Sequence, residues 1–228
     1  MSIARLTARS LRHFGPLVAI SAIAMAPIAW IALRAARPAT GPQMRELAQL
    51  ATVLIAAAAP VQLFLVAAAA PIVRAAARGE ALGQLAALRA GLRNLVRGIV
   101  PCAIAICAIA LGGIALVVPG LALLVGLAMT GASERLGERL PAPLVDSTAV
   151  ARARPPVALA LVALVLALDL AIGGAARLAM LAPLARRLTL DDFARARTIV
   201  RGVALALIVA SPIAACALAA GYSHAERS

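Results

Sequence analysis

Between Gly98 and Ser133 the chain carries no charged side chain. One helix through that stretch would reach roughly 50 Å, well beyond a bilayer core of about 30 Å, so the segment is expected to enter an apolar layer and turn back within it. Val117-Val118-Pro119-Gly120 offers the reversal point. Pro119 cannot continue a helical hydrogen-bond ladder, and Gly120 permits the backbone angles of a turn. Four more long runs follow the same logic: Phe14 to Leu33, Leu47 to Val73, Pro155 to Ala176 and Gly202 to Tyr222, uncharged apart from Asp169 in the third. In lipid a spanning backbone must satisfy its own polar groups, and uncharged runs of this length do so as helices. The expected fold is therefore all-α, a single polytopic transmembrane bundle over residues 1–228. Its six or so spans lie near 14–33, 47–73, 98–118, 120–133, 155–176 and 202–222, with a Pro-Gly hairpin between the third and fourth.

Composition points the same way. Hydrophobic residues make up 64% of the chain and charged ones 14%, about half the charged share of a soluble domain. All 22 basic residues are Arg, and with the abundance of Ala this suggests a GC-rich bacterial source. A net charge of +13 could signal a nucleic-acid binder, but the arginines flank apolar runs and stacking aromatics are only 2% of residues. Anionic lipid headgroups are the expected counter-charge. With the N-terminus in the cytoplasm, 13 of the 22 Arg fall on the inner side, a weak bias that sets the expected orientation in a bacterial inner membrane. Arg5, Arg9 and Arg12 ahead of the first run also fit a signal peptide, but an uncleaved first span is the favoured reading.

Little in the chain suggests chemistry. Cys102, Cys107 and Cys216 fall inside expected spans, where Cys acts as a small apolar residue, so neither a disulfide nor a metal site is expected. His13 and His224 lie near opposite ends of the chain, no phosphate-cradling Gly-rich loop is present, and Asp146-Ser147 reads as a helix N-cap. No catalytic residues and no cofactor are expected.

The candidates for function are intramembrane polar groups and surface arginines. Gln62 lies in the second run between Pro60 and Pro71, which should kink that helix. Asp169 interrupts the fifth run. An intramembrane carboxylate costs a few kcal/mol unless paired or protonated, so Asp169, roughly two-thirds of the way along its run, is either functional or structural, lying near the headgroups or paired with an Arg such as Arg177 or Arg186. Arg89, Arg93 and Arg97 recur every fourth residue among Leu85, Leu88, Leu92 and Leu95, which predicts an interfacial amphipathic helix with its Arg face toward lipid phosphates. Alanine ladders at Ala163, Ala167, Ala171 and Ala175, and at Ala206, Ala210 and Ala214, predict close helix packing within the bundle.

Arg89-Ala90-Gly91-Leu92-Arg93, the apolar run, Val117-Val118-Pro119-Gly120-Leu121-Ala122-Leu123 and the polar segment ending near Ser147 together resemble the membrane domain attached to some bacterial glycerophosphodiester phosphodiesterases, and its stand-alone relatives. The resemblance implies paired hydrophobic segments joined by interfacial helices, with a lipid-related or membrane-organising role. The phosphodiesterase catalytic domain has no counterpart in this chain, and Ala replaces the family's aromatic and Leu-rich spans. The expected function is membrane-organising or complex-forming, with lipids and a protein partner or second copy as partners. A small transporter using Gln62 and Asp169 is the alternative, and a lipid-modifying enzyme a third.

Overall fold

The computed structural model describes residues 2–35, 41–80, 82–115, 117–182 and 189–226. Among them every regular element is helical: α1 (Ile3–Ser10), a 3₁₀ turn (Leu11–His13), α2 (Phe14–Ala35), α3 (Gly41–Arg78), α4 (Gln84–Ala115), α5 (Val117–Leu127), a second 3₁₀ turn (Thr130–Ala132), α6 (Ala142–Ala153), α7 (Pro155–Leu181) and α8 (Leu190–Glu226). Five helices among the described residues are long and apolar enough to cross a bilayer. The protein is an all-α membrane protein.

The helices outrun the uncharged segments that announced them. α3 and α8, at 38 and 37 residues, are each about 56 Å long, so their ends carry charged residues past the apolar layer. Arg177 belongs to α7, and Arg195, Arg197 and Arg201 to the first turns of α8, rather than to the connection expected between the last two spans. Arg186 lies outside the described residues.

The 98–133 segment does turn back, but earlier than expected. α4 ends at Ala115 and α5 begins at Val117, so Pro119 sits in the first turn of α5, where no intrahelical N–H is required of it. Gly120 serves the approach of the two arms rather than the turn. A β-carbon there would stand 2.6 Å from the Gly113 backbone, closer than two chains can pack. α5 has 11 residues, about 16 Å, too short to cross a bilayer alone. The return continues through the second 3₁₀ turn and brings Leu136 beside Gly98.

The chain forms two compact units. The first comprises Met1–Ser21, Gln62–Val165 and Ser211–Ser228. Here α4 packs on α3 through Gly91, Asn94, Gly98 and Cys102, part of a stripe of small, mostly buried side chains that also holds Ala87 and Ala105. The steps of three and four residues keep them on one face of the helix. Gly98 meets Ala67, Gly91 meets Ile20 and Ala68, and Gly131 of the second 3₁₀ turn rests on the Ala67 backbone. Interfaces built from small residues let backbones approach where lipid supplies no hydrophobic drive for association.

The second unit comprises Ala22–Val61 and Leu166–Ala210. Its core joins Ala196, Val200, Val203 and Leu207 of α8 to Met25 of α2, Leu47 and Ala58 of α3, and Ala176 and Met180 of α7. Thr189 caps α8. Its hydroxyl donates to Asp192 Oδ2 at 2.9 Å, the same carboxylate oxygen accepts the Thr189 N–H at 3.0 Å, and the Asp192 N–H points back to Thr189 Oγ1 at 3.4 Å. This reciprocal arrangement satisfies donors that a helix start otherwise leaves open.

Candidate functional site

Pro71 explains the most consequential polar contact in the first unit. A proline in the interior of α3 has no N–H to offer the carbonyl four residues earlier, that of Ala67, and Ala67 is fully buried. Asn94 of α4 supplies the missing donor, with Nδ2 2.6 Å from the Ala67 oxygen. The same face of α4 places Cys102 Sγ 3.8 Å from the Leu63 carbonyl. Sequence reading missed Asn94. Its signal was a lone amide on a stripe of Ala and Gly, facing a proline-containing helix.

Gln62 is buried on α3, and its Nε2 donates to Ser211 Oγ of α8 at 3.4 Å. Asp169 lies in the other unit, so these two intramembrane candidates do not share one. Because α7 continues to Leu181, Asp169 lies near the middle of its helix, about 20 Å from either end, rather than two-thirds along as the uncharged run suggested. It is 4% exposed and falls on the packed line of α7 with Ala176 and Met180.

Arg89, Arg93 and Arg97 are all exposed, as an outward Arg face requires. They do not belong to a separate interfacial helix. α4 runs through from Gln84 to Ala115, so the stripe is the first half of a helix that continues into a span. The side that packs is the small-residue face, while Leu85 and Leu92 stay exposed, because Gly and Ala allow the closer approach to α3. The α7 ladder is also reassigned: Ala163, Ala167, Ala171 and Ala175 are exposed, and the packed line runs through Val162, Asp169, Ala176 and Met180. In α8, Ala210 and Ala214 are buried and Ala206 partly so.

Asp146 and Ser147 sit inside α6 rather than at its cap, because the Pro141–Pro143 turn starts that helix earlier. Ser133 donates to Asp146 Oδ2 at 2.8 Å, and Ser147 donates to the Gly126 carbonyl at 2.7 Å. Arg135 bridges Glu138 at 2.7 Å and approaches Asp146 at 3.8 Å, while Arg74 reaches Glu134 at 3.6 Å. Hydrogen bonding to Glu138 raises the Arg135 pKa above its ordinary value. These bonds tie α6, the second 3₁₀ turn and the end of α3 together. Among the described residues no three His, Cys, Asp or Glu side chains gather as a metal-binding group.

A cleft of about 720 Å³ opens between the end of α7 and the start of α8, lined by Met180, Asp191, Asp192, Arg195 and Thr198. The Asp192 carboxylate there is engaged in the α8 cap. No protein-family profile, curated protein or solved structure matches the chain.

Proposed function

We propose that the protein is a complex-forming, membrane-organising component of a bacterial inner membrane, with its N-terminus in the cytoplasm, that docks another membrane helix against α7. The supporting observation is the outward position of Ala163, Ala167, Ala171, Gly174 and Ala175 between the exposed Leu164 and Leu170. Large side chains suit a lipid-facing surface, whereas a shallow line of small ones walled by Leu admits a neighbouring helix backbone. The polar groups packed inside the first unit favour the same reading, since the part-buried Asn94 and the buried Ser133 and Ser147 join the protein's own elements. The architecture implied by the phosphodiesterase membrane-domain resemblance is compatible with it. Native mass spectrometry from mild detergent tests the proposal. Wild type is expected to carry a second copy or a stoichiometric partner that Ala167→Leu with Gly174→Leu releases, and a monomer in both cases would refute it.

A second reading, a small transporter, draws on Asp169 alone, a buried carboxylate at mid-helix. Intramembrane carboxylates mark ion and proton pathways. Under this reading Asp169→Asn abolishes proton-coupled uptake in reconstituted vesicles while leaving the fold intact. A structural carboxylate would instead show reduced stability and no flux in either protein.

A further inference from the structure

We propose that the cleft between the N-terminal helix and the α3–α4 turn binds the phosphodiester of an anionic lipid headgroup. The inference concerns the first unit alone and does not depend on the α7 reading. α1 is capped by Ser2, whose side chain accepts the Arg5 N–H at 3.4 Å, and it buries Leu6 and Ser10 against the unit. Burying that face turns Arg5, Arg9 and Arg12 outward, and all three are exposed. Two clefts flank them. One, about 340 Å³, is lined by Arg9, Arg12, His13, Glu80 and Gln84, and the other, about 330 Å³, by Arg5, Ala8, Arg9 and Arg12. Both sit at the lower end of the volumes that hold small ligands.

The walls are fixed and the charge balance favours an anion. Gln84 Nε2 donates to the Arg12 carbonyl at 3.4 Å, tying the start of α4 to the 3₁₀ turn. Glu80, the acidic residue in the lining, is held by Arg78 through two hydrogen bonds of 2.6 and 3.1 Å, which neutralise it and hold its pKa below the ordinary value. Arg9 and Arg12 therefore line a cleft whose carboxylate is already engaged, and Arg5 joins them in the second cleft. His13 lines the same cleft, and its buried Nδ1 has no hydrogen-bond partner among the described residues. Guanidinium forks match phosphate oxygens in pairs, which favours a phosphate over a simple halide.

Position selects the lipid over a soluble phosphate. Arg12 and His13 immediately precede Phe14, the first residue of α2 and of the uncharged run, so the cleft lies where a span meets the headgroup layer. The test uses purified full-length protein in nanodiscs of phosphatidylcholine doped with phosphatidylglycerol, read by native mass spectrometry for retained lipid and by melting temperature. Wild type is expected to retain phosphatidylglycerol, with stabilisation that saturates as the dopant rises. Arg9→Gln with Arg12→Gln should weaken retention at least tenfold, whereas Arg139→Gln with Arg152→Gln, the same charge change at exposed positions of the same unit, should leave it intact. The milder Arg12→Lys, which keeps the charge but loses the fork, should fall between and guards against a folding defect in the double variant. Equal retention by both double variants would overturn the site. Saturable stabilisation by inorganic phosphate or glycerol phosphate in pure phosphatidylcholine, matching that by phosphatidylglycerol, would overturn the lipid assignment.

Discussion

Asn94 and Pro71 should behave as one unit. The Ala67 carbonyl is buried, loses its helical donor to Pro71 and regains one from Asn94 at 2.6 Å. Asn94→Ala strips that donor and leaves a buried acceptor unpaired, a loss of about 1–3 kcal/mol. Pro71→Ala restores a backbone N–H at the position where α3 lacks one, so in that background the carbonyl no longer depends on α4. There Asn94→Ala should cost less than it does in wild type, giving a coupling energy on the order of 1 kcal/mol between residues on different helices. Reversible unfolding in mixed micelles, followed by circular dichroism for wild type, the two single variants and the double, measures this directly. Equal costs for Asn94→Ala in both backgrounds would refute the reasoning, because the amide would then contribute only by packing.

Two further outcomes follow from the packing and the ion pairs. A β-carbon at Gly131 would lie 2.6 Å from the Ala67 nitrogen and 3.1 Å from the Leu63 oxygen, both backbone atoms, so Gly131→Ala should destabilise by about 1–3 kcal/mol. Gly174→Ala, where nothing lies within 4 Å, should be neutral or stabilise α7 by up to about 1 kcal/mol, so that only Gly131→Ala lowers the melting temperature. Because Arg78 lowers the Glu80 pKa from 4.5, that pair contributes its small, solvent-screened stability above pH 4.5 and loses it as pH falls through the lowered value. Melting curves of wild type and Glu80→Gln should therefore differ slightly at neutral pH and converge in acid.

The class of fold was legible because uncharged runs of twenty or more residues permit little else in water or lipid. The ends of the helices were not, since Arg177 and Arg201 read as breaks in an apolar run although a helix continues through each of them. That error displaced Asp169 from the middle of α7. Pro119 was a sound sign of a reversal but imprecise in position, because a proline fits the first turn of the returning helix as well as it fits a turn. The α7 ladder was visible as spacing, but in a chain so rich in Ala spacing does not tell the packed face from the outward one. Asn94 was hidden for a different reason. Its acceptor is created by Pro71, 23 residues away in sequence, and only the antiparallel packing of α3 and α4 brings the two together.

A photo-crosslinking scan along α7 in native membranes bears most directly on the complex-forming role. A photoreactive residue would be placed in turn at Ala163, Ala167, Ala171 and Ala175, and at Leu164 and Leu170, positions that are all exposed. If a helix docks on the small-residue line, protein adducts of one defined mass should concentrate at the four Ala positions and fall away at the flanking Leu positions, where lipid is captured instead. Lipid adducts at every position, or protein adducts with no preference for the Ala line, would contradict it.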